Sequence, residues 1–524
     1  MSADIEGPAA AASPGPIRND NDSRSSIARN ALAGYGTLAI SLLTGFVSTP
    51  LVLGALGAPA YGAYALVGGL VAYLAIADAG VGTTTSNRVA RFAARGDRDA
   101  LSSLLGTSFW IFCAAGAAGL VVAVVLALQL GQLFTVPASL LGPAQLALVL
   151  LALGQGLGVP LSLNSLVLIG VGRLDVTAVR TMLFSTSSSI AQVVVAKAGG
   201  GVAGVAGVSS GFGLLGALYL WRQVRRRYPD VRISPSAGSV TESKDLVRTG
   251  SRNLVISVAG MLAFTSDLTI IGALEPLAAV AAYALASKLV SYVRLLSSRL
   301  TDVLMPVYAH GDSLGLDDRH RSVFAAGTTL SLGLAIPMTM CCVAFGHDLL
   351  ATWLGHVPAG TASVLTVLAL ASLAQLPGHN CFVLLTALER THVLLRLSVV
   401  SSLVNVALSV ALTIRLGIVG PALGSLVVTV VADLVLLPAI VSRAMGWGFT
   451  GIVKQAFGPV LLPSVAGGVV AATLAPLDAM PGGALLKSLV VALVFAAVLA
   501  RTALSPAQRA GARRALRSGR SRRT

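Results

Sequence analysis

Apolar stretches long enough to cross a lipid bilayer follow one another along almost the whole chain, with only short polar segments between them. A spanning helix needs about 20 apolar residues, because it rises about 1.5 Å per residue across a hydrocarbon core of about 30 Å. We therefore predict an all-α polytopic membrane protein with about 14 transmembrane helices. The predicted spans are 31–54, 62–86, 104–130, 143–170, 177–198, 202–221, 251–273, 278–307, 323–346, 361–388, 392–414, 418–441, 452–475 and 484–504.

The composition leaves little room for a soluble domain. Hydrophobic residues make up 55% of the 524 residues and charged residues 11%, whereas soluble domains carry about 25% charged residues. The sequence contains no metal-ligand cluster, no phosphate-binding Gly-Lys loop and no ATPase domain. It therefore predicts a transporter rather than an enzyme. We expect no cofactor, and any active transport would have to use a gradient such as that of H+ or Na+.

Basic residues mark alternate connections between the predicted spans, whereas the opposite connections hold only Lys197, Arg415 and Lys487. Because Lys and Arg stay on the cytoplasmic side of a membrane, we expect both termini in the cytoplasm, which requires an even number of spans. Arg-rich, Ala-rich and Gly-rich composition suggests a bacterial protein, hence the bacterial cytoplasmic membrane. The net charge of +16 then reports topology and not nucleic-acid binding. The basic connections carry Arg88, Arg91, Arg95 and Arg98; Arg222, Arg225, Arg226, Arg227 and Arg232; Arg319 and Arg321; and Arg390.

An internal repeat relates the first and seventh predicted spans. Residues 48–56 end one span and residues 266–274 end the other, and each is followed by a short turn and an Ala-Tyr-Ala-Leu motif at 63–66 and 282–285. A duplication of six spans would give two halves related by an axis along the membrane normal, with a central cavity between them. The predicted organisation is a disordered cytoplasmic tail at 1–27, a six-helix bundle at 28–222, a cytoplasmic linker at 223–250, a second bundle at 251–441, two additional helices at 442–504 and a basic cytoplasmic tail at 505–524.

Several motifs resemble those of Wzx-type polysaccharide flippases. Residues 56–66 with Ala77–Gly82, Arg88 and Arg91 resemble the first hairpin of that family. Asp267 with residues 270–272, and residues 283–288, resemble its seventh and eighth helices, and residues 168–173 resemble the loop after its fourth helix. The chain is thereby identified as a member of the multidrug/oligosaccharidyl-lipid/polysaccharide exporter superfamily.

The resemblance implies two pseudo-symmetric six-helix bundles around a central cavity, plus two C-terminal helices. It also implies alternating access that flips a polyprenyl-diphosphate-linked oligosaccharide to the outer leaflet for cell-surface polysaccharide biosynthesis. The expected partners are this lipid-linked substrate, membrane lipids and other polysaccharide-assembly proteins, with the chain itself a monomer. Two alternatives stay open: an ion-coupled exporter of small molecules of the multidrug type, although residues 31–54 lack the acidic residue such exporters often carry, and a lipid II flippase.

Charged residues inside the predicted spans are the first candidates for a functional site, because a charge at the centre of a membrane helix costs about 2.5–3.5 kcal/mol on insertion scales. Asp267 lies about 10 Å below the outer end of its span, and Lys288 lies at a similar or slightly greater depth in the next span. We expect the two to meet across the hairpin. They would either form a structural ion pair or contact a diphosphate or a coupling ion.

Arg294 and Arg299 continue along the same predicted helix as Lys288 and form with it a cationic ladder. An anionic diphosphate would need such counter-charge to enter a cavity of low dielectric constant. Arg299 alternatively extends to the membrane interface or pairs with Asp302. The ladder is therefore a candidate substrate contact.

The tenth predicted span contains Pro377 and Gly378 followed by His379 and Asn380. Proline removes a backbone hydrogen bond, and backbone groups freed at membrane depth must be buried in protein or line a wet cavity. His379 and Asn380 would then bind sugar hydroxyls, or His379 would titrate. The alternative is a kinked helix whose polar groups face a neighbouring helix.

Overall fold

The structure is a computed structural model, and its helices cover most of the described chain. It contains no strand among the residues that it describes, which confirms the all-α class predicted from the sequence. The described residues are 24–74, 76–229, 231, 233–234, 236, 238–302, 304, 308, 317–388, 391–476 and 483–502. The predicted tails therefore fall almost wholly outside the described residues, and helix α1 begins at Arg24.

The described residues of the N-terminal part form nine α-helices with one π-helical turn. They are α1 (Arg24–Leu56), α2 (Ala58–Leu74), α3 (Ile76–Arg95), α4 (Arg98–Leu128), α5 (Leu130–Leu133), α6 (Ala138–Gly170), α7 (Leu174–Arg180), the π-helix Thr181–Ser185, α8 (Thr186–Lys197) and α9 (Gly201–Arg227).

The remaining described helices follow the linker. They are α10 (Val240–Leu274), α11 (Leu277–Asp302), α12 (Asp317–Leu354), α13 (Thr361–Ala387), α14 (Thr391–Leu416), the 3-10 turn Gly417–Val419, α15 (Gly420–Thr429), the π-helix Val430–Leu436, α16 (Leu437–Ala444), α17 (Phe449–Leu474) and α18 (Gly483–Thr502). Helix α13 continues through Pro377 and Gly378.

Glycines in the left-handed region of backbone space separate several of these helices. Gly57, Gly172 and Gly417 have φ angles of 78°, 78° and 60°. Residues with a Cβ atom are strained at such angles, whereas glycine adopts them freely. Each of them lets one apolar helix stop and the next begin within a few residues. The tight turns of the sequence are thus built by glycine.

Ten helices of the described chain are long and apolar enough to cross a membrane. Two shorter apolar helices, Ala58–Leu74 and Thr265–Leu274, accompany them. One of the ten, His392–Ala444, has 53 residues; a straight helix of that length would be about 80 Å long, so the turn at Gly417 divides it into two crossings. The multi-pass architecture is confirmed, and the number of fourteen spans remains a prediction.

The helices pack into two compact units. Unit 1 comprises residues 1–48, 70–128 and 145–257, and unit 2 comprises 49–69, 129–144 and 258–524. Because these units follow packing, their boundaries fall inside α1, α2, α6 and α10. The boundaries of the two six-helix bundles, which were derived from the sequence repeat, therefore remain a prediction.

Unit 1 has a core of aliphatic residues around α4, α6 and α9, including Leu104, Val167 and Leu220. The first turns of α10 pack against α3 so closely that a Cβ atom at Gly80 would lie 2.6 Å from the carbonyl oxygen of Gly250. Beside this contact Arg88 donates a hydrogen bond of 2.5 Å to Asp245, outside the apolar part of α10. This hydrogen bond and the charge of Arg88 hold the pKa of Asp245 below its ordinary value of 3.8.

Unit 2 joins the outer part of the first hairpin and the segment after α4 to helices α10–α18. A Cβ atom at Gly62 would lie only 1.9 Å from the carbonyl oxygen of Leu277, so the backbones of α2 and α11 are in direct contact. Thr135 donates hydrogen bonds to the carbonyl of Gly272 from its backbone (2.9 Å) and its hydroxyl (3.1 Å). The turn between α10 and α11 is therefore held by two separate segments of the chain.

Candidate functional site

A buried carboxylate on α10 is the centre of the first candidate site. Asp267 has only 4% of its surface exposed. Its carboxylate accepts hydrogen bonds from Ser409 on α14 (3.2 Å), Ser425 on α15 (3.3 Å) and the Tyr283 hydroxyl on α11, the last being short. We call these four residues the Asp267 cluster. The hydroxyl donors satisfy an acid that the membrane would otherwise exclude.

Two helical hairpins bring the Asp267 cluster together. Asp267 lies seven residues before the end of α10 and Tyr283 six residues after the start of α11. Ser409 lies seven residues before the end of α14, and Ser425 five residues after the start of α15. At 1.5 Å per residue all four lie about 8–10 Å from their turns. The two turns are adjacent, because the carboxylate of Glu275 in the first turn would lie 3.3 Å from a Cβ atom at Gly417 in the second. The four side chains therefore meet at the same level.

Asn405 extends the Asp267 cluster by one turn of α14. Its side-chain nitrogen donates to the Ser425 hydroxyl at 3.1 Å. Its side-chain oxygen is buried and has no hydrogen-bond partner in the described chain. A buried amide oxygen without a donor is uncommon in proteins. The site thus offers carboxylate, hydroxyl and amide oxygens, together with an acceptor that is unused.

The expected contact between Asp267 and Lys288 is not formed. Tyr283 occupies the position opposite Asp267, and Lys288 lies five residues, about 7.5 Å, further along α11. The half-buried Lys288 ammonium makes neither a hydrogen bond nor an ion pair within the described residues. The hairpin register, which the sequence alone does not specify at the level of one turn, therefore separates the acid from the base.

The cationic ladder of α11 divides between two faces of the helix. At about 100° per residue, Lys288, Tyr292 and Arg299 share one face, and Arg294 is turned by about 120° from Lys288. The opposite face is buried within unit 2 by Ala286, Val290, Val293 and Ser297.

The hydroxyl of Tyr292, one turn after Lys288, is buried and has no hydrogen-bond partner within the described residues. Arg294 is half-buried and Arg299 is exposed. Lys288 and Tyr292 thus place an ammonium and a hydroxyl donor about one turn apart on the same face of α11. We call these two residues the Lys288–Tyr292 pair.

His379 and Asn380 have different environments on α13. Asn380 is fully buried; its oxygen accepts from the Tyr308 hydroxyl at 3.1 Å, and its nitrogen donates to the Phe324 carbonyl at 2.9 Å and the Thr328 hydroxyl at 2.6 Å. This arrangement favours the alternative of a polar group that faces neighbouring helices. His379 is half-buried beside it. The three hydrogen bonds of the Asn380 side chain all go to residues outside the Asp267 cluster.

Sequence reasoning missed the two serines of the Asp267 cluster. Ser409 and Ser425 are single hydroxyls in apolar helices, where serine is common and usually bonds its own helix. The signal that would have found them is their position, since both lie about two turns from the glycine turn at Gly417, as Asp267 does from its own turn. Arg180 in unit 1 was missed too; it lies near the beginning of the predicted span 177–198.

A multi-pass helical chain that keeps a carboxylate and an ammonium within its spanning segments has the character of a membrane transporter. Residues 97–357 match a family described as polysaccharide biosynthesis protein. No curated protein sequence matches the chain.

Solved structures give the same fold. The structure entitled lipid II flippase MurJ, inward closed conformation, matches with a TM-score of 0.66 at 11% identity, covering 90% of this chain and 98% of that one. An inward-facing multidrug resistance MATE family transporter of the MOP superfamily matches at 0.58 and 16% identity, covering 82% and 99%. The MATE multidrug transporter DinF-BH matches at 0.60 and 14%, covering 85% and 99%.

The family match and the shared fold confirm the resemblance that the sequence indicated. Residues 97–357, 261 of the 524 residues, match the polysaccharide biosynthesis family, and the chain shares the fold of solved lipid II flippase and multidrug transporter structures. Its ten long apolar helices, counted over the described residues, are those of a multi-pass membrane protein.

Proposed function

We propose that the protein flips a polyprenyl-diphosphate-linked oligosaccharide from the inner to the outer leaflet of the bacterial cytoplasmic membrane, by alternating access, for cell-surface polysaccharide biosynthesis. Both termini would lie in the cytoplasm and the chain would act as a monomer. The polysaccharide-biosynthesis family supports the substrate class, and the fold supports the mode of transport. The protein performs no covalent chemistry in this proposal; it only binds and releases its substrate.

The observation that carries the proposal is the Lys288–Tyr292 pair. An ammonium in a membrane segment is costly and usually has a partner, yet Lys288 has none within the described residues. The adjacent Tyr292 hydroxyl also lacks a partner there. A diphosphate has the negative charge and the acceptor oxygens that this pair needs. Its contacts with the ammonium and the hydroxyl would be stronger in a medium of low dielectric constant than in water.

The Asp267 cluster is the proposed site of the coupling ion, H+ or Na+. The serine hydroxyls donate to the carboxylate in this structure, and rotation about their C–O bonds would turn their lone pairs towards a cation instead. The unused oxygen of Asn405 is available to the same cation. These oxygens suit a hard monovalent cation, and a proton would be held by the carboxylate alone. Since Asp267 and Ser425 lie on different hairpins, occupancy would change how the hairpins are held together.

The first test is the polysaccharide and lipid-linked precursor profile of a strain depleted of the protein. The proposal predicts loss of one surface glycan and accumulation of its polyprenyl-linked oligosaccharide on the cytoplasmic face. Accumulation of lipid II instead would assign the protein to peptidoglycan precursors. An unchanged glycan and precursor profile would contradict the proposed function.

Variants of Lys288 make the test specific to the site. Lys288→Gln in the depleted strain should restore less than about a tenth of precursor export, since a charge-assisted hydrogen bond contributes about 1.5–3 kcal/mol. Lys288→Arg should restore most of it, because the charge is kept. Arg415→Gln, which removes an exposed charge at the end of α14, is the matched control and should behave like the unchanged protein. Full export by Lys288→Gln would refute the role of the pair.

Export of small molecules is the second candidate, and the Asp267 cluster supports it equally because an ion-coupled exporter needs such a site. The Lys288–Tyr292 pair distinguishes the two, since a positive site repels cationic drugs and attracts a diphosphate. Drug sensitivity of the depleted strain together with an unchanged surface glycan would support the small-molecule exporter.

A further inference from the structure

Unit 1 contains an embedded arginine that the proposed function does not use. Arg180 ends α7, directly before the π-helix Thr181–Ser185. Its Nε atom is buried and has no hydrogen-bond partner within the described residues. The guanidinium lies against Gly216 of α9, where a Cβ atom would be 2.7 Å from Nε and 3.4 Å from the ring of Phe184. The absence of a side chain at Gly216 thus makes the space that the guanidinium occupies.

The surrounding helices supply no counter-charge for Arg180. Within the described residues, α1, α6, α8 and α9 contain neither Asp nor Glu. The acid that precedes Arg180 in the chain, Asp175, is taken by Arg173 at 2.9 Å and by Arg29 at 3.5 Å. Burial by itself would raise the pKa of Asp175, but the hydrogen bond from Arg173 and both positive charges hold its pKa below the ordinary value. Asp175 is thus ionised and already doubly paired.

The depth of Arg180 makes this isolation unusual. Arg180 lies six residues, about 9 Å, from the start of α7, and Gly216 lies six residues, about 9 Å, before Arg222, the first arginine of the basic segment that ends α9. The guanidinium is therefore inside the span, below the cluster of arginines at the end of α9. Arginine at depth is costly and normally pairs with an acid, a carbonyl or an anion. Among the described residues, the helices around it provide no acid.

We propose that Arg180 binds a phosphate group carried by a lipid. The planar guanidinium matches phosphate oxygens through two parallel hydrogen bonds, and it stays charged at depth. The π-helical turn next to it is independent support, since such turns are rare and are frequently found at functional sites. If the lipid is the polyprenyl diphosphate, Arg180 is a second phosphate contact on the substrate's route, separate from Lys288. That identification rests on the proposed function, whereas the lipid-phosphate site does not.

The test is retention of lipid by the purified full-length protein, measured by native mass spectrometry. Polyprenyl diphosphate and phosphatidylglycerol are titrated separately, so that the two sources of phosphate are distinguished. Arg180→Gln should lower the affinity for one of them at least about tenfold, and Arg180→Lys by less. Arg225→Gln, which removes an exposed guanidinium 5.1 Å from the Trp221 ring, is the control and should bind both lipids as the unchanged protein does.

A second variant tests the geometry without removing charge. Gly216→Ala places a methyl group against the guanidinium. It should lower the affinity for the same lipid whose binding Arg180→Gln weakens. Elution of the variant as a single species would show that it is still folded. Selective loss of polyprenyl diphosphate supports a substrate contact, and selective loss of phosphatidylglycerol supports a membrane-lipid site. Equal binding of both lipids by Arg180→Gln and the unchanged protein overturns the inference, even if the depletion experiment supports the flippase. If Arg180→Gln loses phosphatidylglycerol binding and the depleted strain has no glycan phenotype, the inference is supported and the proposed function is contradicted.

Discussion

The backbone contact between α2 and α11 predicts opposite effects for two glycines of the same helix. A Cβ atom at Gly62 would lie 1.9 Å from the oxygen and 2.8 Å from the carbon of the Leu277 carbonyl. A normal contact begins at about 3.4 Å, so Gly62→Ala requires the two backbones to separate by about 1.5 Å. No flexible side chain can yield, because the obstacle is backbone.

Overpacking of this kind costs about 1–3 kcal/mol, and we expect the upper end because the obstacle is rigid. Gly68, six residues further along α2, has no atom within 4 Å of a Cβ position. Gly68→Ala should therefore gain up to about 1 kcal/mol of helix propensity. The pair is matched in helix, in residue type and in substitution, so that only the contact differs.

The assay is the midpoint of thermal unfolding of the purified protein in one detergent. Gly62→Ala should unfold several degrees below the unchanged protein, and Gly68→Ala at or slightly above it. Equal midpoints for the two variants would show that α2 and α11 are not in backbone contact, and the reasoning from Gly62 would be refuted.

Three further predictions concern polar groups. If the Asp267 cluster binds Na+, then Na+ should raise the thermal midpoint of the unchanged protein relative to K+ at equal ionic strength, with a stabilisation of about 2.7 kcal/mol at about 100 times the dissociation constant. Asp267→Asn should abolish this rise. An undiminished rise in the variant would exclude the cluster as the Na+ site. Asn380→Ala should lower the stability by about 1–3 kcal/mol, since buried partners lose their hydrogen bonds, while the affinity for polyprenyl diphosphate stays unchanged; the reverse result would make Asn380 a substrate contact. The folded-state pKa of Asp245 is lowered, so its stabilising effect is complete above its unfolded value of about 3.8 and is lost as the pH falls through the folded value. Asp245→Asn should remove this loss of stability at low pH, measured as thermal midpoints between about pH 3 and 7. If the midpoint of the variant falls with decreasing pH as steeply as that of the unchanged protein, the prediction is wrong.

Particular residues show how far the site could be predicted. Asp267 and Lys288 were identified from the cost of charge in an apolar stretch, a property of single residues. Their pairing was wrong because it needs the register of one hairpin, in which Tyr283 stands opposite Asp267. Asn380 has the same polarity in the sequence as His379, yet Asn380 is the one enclosed by three hydrogen bonds with neighbouring elements.

The helical class and the multi-pass architecture could be predicted from the sequence alone, because the bilayer requires long apolar helices and their hydropathy pattern is local. The folded structure was needed to show that Ser409 and Ser425 reach Asp267, and that the Nε atom of Arg180 lies against Gly216 without a partner among the described residues. These contacts join residues that are distant in the chain. They depend on how closely two backbones approach and on which turn of each helix faces the other, and neither quantity is contained in hydropathy.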